Sequence, residues 1–157
     1  MLIAYNVNIP EPDAAVAKMI GTLVRGSGRI VARHQGQRLR VPGMLDSVQG
    51  MGVPVDELGI SQVSMNLLDV ERCPLHLAFK TCESLAEDHD TALCGSEIVG
   101  LVPLQAMLEA GRYFSPDATS DNALVSAAVD GLGLNRHHHF DPGQHIIEWA
   151  LEQEGNV

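Results

Sequence analysis

Gln62-Val63-Ser64-Met65-Asn66-Leu67 alternates polar and apolar side chains without a break. Residues two apart on a strand share a face, so Gln62, Ser64 and Asn66 line one side while Val63, Met65 and Leu67 line the other. Such a strand fits an antiparallel sheet with one face packed and one open. Residues 2–8 repeat the pattern, with Ala4, Asn6 and Asn8 together, and residues 46–53 give a strand on which Ser47 and Gln49 flank Val48. The turn signal Asp56-Glu57-Leu58-Gly59 joins residues 46–53 and 61–67 as a hairpin.

The intervening segments read as helices. Pro10-Glu11-Pro12-Asp13 opens a helix over residues 14–24, with Asp13 as its N-cap. Residues 69–89 carry Leu75, Phe79, Cys82, Leu85 and Ala86 at spacings of three and four, one buried helical stripe. Residues 91–99 give the fourth strand. Helices follow over residues 104–114, where Pro103 suits the first turn, over 123–132 after a polar loop at 115–122, and over 141–154 with Asp141 as N-cap and Pro142 at the first position. Strand, helix, strand, strand, helix, strand is the split βαβ order of a ferredoxin-like α+β sandwich, with additional C-terminal helices, and residues 1–157 read as a single domain. Residues 26–42 lose periodicity and gather Arg29, Arg33, Arg38 and Arg40, which reads as an exposed loop.

Composition narrows the partners. With 157 residues, 45% hydrophobic content and a formal net charge of −10, the chain has no general basic face for nucleic acid or anionic lipid. No apolar run reaches the roughly 18 residues of a membrane span, and the N-terminus lacks the pattern of a signal peptide, which predicts a cytoplasmic protein. Cys73, Cys82 and Cys94 are odd in number and lack a Cys-x-x-Cys pair, which reads as reduced thiols.

Candidate chemistry centres on the open face. Asn is depleted in strands, so Asn6, Asn8 and Asn66 call for a reason, and with Gln49, Gln62 and Ser64 they make a nearly uncharged hydrogen-bonding platform for a polar ligand. Gly95-Ser96-Glu97-Ile98-Val99-Gly100-Leu101-Val102-Pro103 adds Ser96 and Glu97. A carboxylate amid Ile, Val and Leu is costly to bury idle, and Glu97 is expected to border the ligand cleft near the helix start at Pro103 and to accept hydrogen bonds there. No catalytic residue and no metal ligand set is predicted. His137, His138 and His139 are consecutive and cannot converge on one ion from a regular strand or helix, and His76 reads as a helix histidine without a partner nucleophile.

Several segments together resemble the formiminotransferase family, specifically its C-terminal subdomain: Leu2-Ile3-Ala4-Tyr5-Asn6-Val7-Asn8, Val48-Gln49-Gly50-Met51-Gly52, Gln62-Val63-Ser64-Met65-Asn66-Leu67, residues 95–103, Phe140-Asp141-Pro142 and Ile146-Ile147-Glu148. The resemblance implies a transferase of histidine breakdown that moves the formimino group of N-formimino-L-glutamate to tetrahydrofolate, the co-substrate. Two ferredoxin-like subdomains then enclose the ligands between facing sheets. It further implies that the general-base histidine belongs to an N-terminal subdomain, so no position here inherits it and the chain alone is inactive. Positions 46 and 47, often lysines in the family, are Asp46 and Ser47, and the arginine segment before them is longer than usual. The partners this implies are folate, formiminoglutamate, an N-terminal subdomain and, as a homo-oligomer, a second copy of the chain. The alternative is a non-enzymatic folate-binding or assembly module that lost the catalytic half.

Overall fold

The computed structural model describes residues 1–155. In chain order the elements are β1 (Ile3–Ile9), α1 (Ala15–Val24), β2 (Arg29–His34), β3 (Gln37–Val41), β4 (Val48–Val55), β5 (Ile60–Leu67), α2 (Leu75–Asp88), β6 (Ser96–Val99), α3 (Leu104–Phe114), α4 (Asp121–Leu132), α5 (Pro142–His145) and α6 (Ile147–Gly155). The main sheet runs β4-β5-β1-β6 with every neighbouring pair antiparallel. This is the ferredoxin-like strand order expected from the sequence.

Alternation decides which face is packed. Tyr5, Val7, Val63, Met65, Leu67 and Ile98 are buried on the helix side. β4 offers glycines there, because α1 crosses it at backbone distance: a Cβ on Gly52 would fall on the Lys18 amide. Large side chains at Gly50 and Gly52 would push the helix off the sheet. On the far side of the core, α3 packs against α4 through Ala106, Met107, Ala110, Leu124, Val125 and Ala128, all buried.

Several boundaries move for local reasons. Residues 69–74 are not helical: Asp69 accepts from the Glu71 amide (3.1 Å) and its carbonyl from the Cys73 amide (2.9 Å), and Pro74 keeps Cys73 out of the helical region, so α2 starts at Leu75. At α1 the cap position is Ala14, while the Asp13 carboxylate accepts from the Ala15 amide (2.9 Å). The C-terminal helix is broken. Ile146 turns extended and forms a parallel bridge with Val102, ending α5 and restarting the chain as α6. Asp141 caps α5 as expected, accepting from the Gly143 amide at 3.0 Å.

The largest correction lies at residues 26–42. They form a second, two-stranded sheet, β2 against β3, rather than a loop. Among the described residues, no helix is long and apolar enough to cross a membrane.

Candidate functional site

Three rows of side chains cross the open face of the main sheet. Register places Gln49, Asn66, Ala4 and Val99 in one row, Met51, Ser64, Asn6 and Glu97 in the next, and Val53, Gln62 and Asn8 in the third. Directly paired residues of an antiparallel ladder point to the same side. Asn6, Asn8, Gln62, Ser64 and Asn66 therefore share the open face while Val63, Met65 and Leu67 lie under the helices. Asn66 Nδ2 donates to Gln49 Oε1 at 3.2 Å, bridging β5 and β4. A hollow of about 190 Å³ sits there, lined by Gln49, Gly50, Met51, Ser64 and Asn66. A larger one of about 470 Å³ continues from Gln49 past Ser47 and Asp46 to Arg25. Ser47 lies outside β4 with a positive φ of 57° and does not continue the strand's alternation.

The third row of the face is covered rather than open. Asn8 is only 1% exposed and Gln62 9%, and Asn8 Oδ1 has no hydrogen-bond partner. A buried carbonyl without a donor is costly, on the order of 1–3 kcal/mol. Its backbone is fully used, donating to the Gly95 carbonyl (2.9 Å) and accepting from the Cys94 amide (2.8 Å).

Glu97 and Ser96 separate. Glu97 pairs with Asn6 and is the ionisable group that the four strands place on this face. The carboxylate's neighbour is His138, with Nε2 3.9 Å from Oε1, and not the start of α3. That helix start is occupied instead by Glu148, whose Oε2 accepts from the Leu104 amide at 2.6 Å. Ser96 faces the core. Tyr5 Oη donates to Ser96 Oγ (2.8 Å), which donates on to the Leu132 carbonyl (2.5 Å). Burial pushes the Tyr5 phenol far above its ordinary range, with the Ser96 hydrogen bond pulling the other way. Ser96 thus ties β1 and α4 to β6 and stands off the open face.

The flanking glycines have backbone reasons. Gly95 and Gly100 take positive φ of 120° and 85°, and a Cβ on Gly95 would meet the Arg136 side chain at 2.7 Å. The loop after α4 therefore lies against the β6 edge, where His137 Nε2 comes within 3.4 Å of Cys94 Sγ. Burial raises the Cys94 thiol pKa, with Arg136 opposing. Among the described residues, no three His, Cys, Asp or Glu side chains converge as a metal site. His76 stacks on Tyr113 with ring centres 4.7 Å apart, on the helix layer away from the open face, and burial lowers its pKa.

Another hollow, about 620 Å³, lies elsewhere, among Ser120, Asn122, Trp149, Glu152 and Gln153. The open face is the stronger candidate on chemistry, because Gln49 and Asn66 are hydrogen-bonded to each other there and line a hollow with Ser64, free of the carboxylates Asp121 and Glu152 that line the other. Sequence reasoning missed the His138 neighbour of Glu97, which comes from a loop more than 40 residues away. No local pattern announces it.

Fold and site together define a ferredoxin-like α+β domain whose open sheet face is polar and carries the carboxylate of Glu97. The chain belongs to the formiminotransferase domain family, which it matches over residues 4–152. It is 38% identical over 160 residues to the formimidoyltransferase-cyclodeaminase of Dictyostelium discoideum, covering 99% of this chain and 28% of that protein. The formimidoyltransferase-cyclodeaminase of Mus musculus is 32% identical over 158 residues, 98% of this chain and 28% of that protein. The glutamate formimidoyltransferase of Thermoplasma acidophilum is 28% identical over 156 residues, 99% of this chain and 40% of that protein. The chain spans 28–40% of the length of these curated relatives.

Proposed function

We propose that this chain acts as one subdomain of a glutamate formimidoyltransferase, transferring the formimino group of N-formimino-L-glutamate to tetrahydrofolate. Its part is to bind and orient: Asn6, Asn8, Gln49, Gln62, Ser64 and Asn66 offer amide and hydroxyl partners to a pterin's donors and acceptors. Neutral groups do this without the desolvation cost of a buried charge. Glu97, beside His138, borders the same face as its carboxylate. Ser96 is left out of this set, since its hydroxyl is engaged with Tyr5 and Leu132.

The observation that supports the reading is the hollow of about 190 Å³ on the open face, where Gln49, Ser64 and Asn66 converge. The general base is assigned to a facing N-terminal subdomain, so the chain alone binds without turning over. The test is binding of a folate analogue by calorimetry, with and without an N-terminal formiminotransferase subdomain supplied in trans. Binding that requires or is strengthened by that subdomain supports the reading. Turnover of formiminoglutamate by the chain alone, or no binding in either mixture, overturns it.

A further inference from the structure

Glu97 is the ionisable group on a sheet face whose other members are amides, a hydroxyl and apolar side chains. Among the described residues no Lys or Arg forms an ion pair with it, and its side chain is 29% exposed. A partly covered carboxylate without a fixed cation is costly to keep unless a ligand supplies the charge. Its surroundings are braced. Asn135 Oδ1 accepts from the Phe140 amide (2.8 Å), Phe140 is buried, and the Ser96 amide donates to the Gly133 carbonyl (3.2 Å). The loop that bears His138 is thereby held along the β6 edge. His138, 3.9 Å away, walls the carboxylate on that side, and Asn6 is paired with Glu97 on the other.

What this carboxylate can hold follows from its separation from the amides. Gln49 and Asn66 line their hollow on β4 and β5, and β1 stands between β5 and the strand of Glu97. Three strand spacings, about 14 Å, separate β4 from β6. That leaves room on one face for two ligands side by side, a neutral ring over the amides and a cationic group at Glu97. A formimino group on an amine is an amidine. At neutral pH it is a planar cation whose N–H bonds fit the two oxygens of a carboxylate, as a guanidinium does.

Resting on the transferase reading above, we propose that Glu97 recognises the formimino group as an amidinium cation and so selects formimino-bearing substrates over neutral N-formyl ones. The charge persists through the transfer. The bond from the formimino carbon to the glutamate nitrogen breaks, a bond from that carbon to a tetrahydrofolate nitrogen forms, and the proton of that nitrogen ends on the departing amino group. The terminal NH2 crosses with the carbon, and the product carries the same positive charge. One carboxylate thus serves substrate and product alike.

Calorimetry on this chain assembled with an N-terminal formiminotransferase subdomain tests this with three ligands: N-formimino-L-glutamate, N-formyl-L-glutamate, in which an oxygen replaces the charged NH2, and a folate analogue. Wild type is expected to bind the formimino compound roughly tenfold or more tighter than the formyl one, the worth of a charge-assisted hydrogen bond. Glu97→Gln should erase that preference by weakening the formimino compound alone, with Tm and folate-analogue affinity unchanged. Glu97→Asp, which keeps the charge, should retain more of the preference than Glu97→Gln. A preference that survives Glu97→Gln, or a wild type that binds both glutamate derivatives equally, overturns the proposal and leaves the transferase reading standing. So does a Glu97→Gln variant that loses the folate analogue instead, which gives the carboxylate to the ring. A wild-type assembly that does not bind the folate analogue overturns that reading itself, and this proposal with it.

Discussion

Ser96→Ala separates a structural serine from a ligand-binding one. The substitution deletes two buried hydrogen bonds, from Tyr5 Oη at 2.8 Å and to the Leu132 carbonyl at 2.5 Å. It also strands the phenol of Tyr5, which is 0% exposed. Each lost bond is worth about 0.5–1.5 kcal/mol net, and an orphaned buried hydroxyl adds a desolvation cost of about 1–3 kcal/mol, so we expect about 2–6 kcal/mol in all. A chain of this size loses about 2–4 °C of Tm per kcal/mol, a fall of roughly 4–24 °C. Urea denaturation should show the same loss at unchanged m. Adding Tyr5→Phe removes the stranded hydroxyl, so the double variant should be less destabilised than the two single effects summed, by about 1 kcal/mol or more. Folate-analogue binding in the assembled protein should survive. An unchanged Ser96→Ala midpoint, strict additivity with Tyr5→Phe, or binding lost at full stability would each refute the buried relay.

Glu148→Ala uncaps α3 at Leu104 and should lower stability by about 0.5–2 kcal/mol, with Glu97→Gln costing far less in a parallel urea series. Gly52→Ala drives a methyl onto the α1 backbone and should cost about 1–3 kcal/mol, whereas Gly36→Ala, in free space but at a positive φ of 79°, should cost about 1–2 kcal/mol from backbone strain alone; thermal melts of both compare crowding with strain. Burial pushes the Cys73 and Cys82 thiols up to about 11 and about 12. Folded protein then keeps protons that unfolded chain releases from about pH 9, so stability should fall as pH climbs from 9 toward 12, and a thiol reagent at pH 8 should label Cys94 well before the other two.

The sheet was legible because its alternation is local. Val63, Met65 and Leu67 against Ser64 and Asn66 fixed one strand's faces, and residues 2–8 fixed its neighbour's by the same period. Ser96 and Glu97 show what that rule can also refuse: adjacent strand residues cannot share a face, and pairing of Asn6 with Glu97 decides which one is open. The hairpin at residues 29–41 escaped because its turn is Gln35-Gly36 and not the usual Asn-Gly, and because arginines on both strands hide the alternation. The α3 cap escaped for another reason. Pro103 marked the helix start, but the capping Glu148 arrives from 44 residues away, delivered by the break at Ile146 that lets the chain bridge Val102.

The most direct test of the open face is calorimetric binding of a folate analogue to this chain assembled with an N-terminal formiminotransferase subdomain, wild type against Asn6→Ala/Ser64→Ala. Both side chains sit in the same row of the face and neither contributes to the buried core. Removing two ligand hydrogen bonds should weaken binding by roughly tenfold or more, at about 1 kcal/mol each, with the Tm of the chain nearly unchanged. Undiminished affinity in a correctly folded double variant would contradict the account and move the ligand off this sheet.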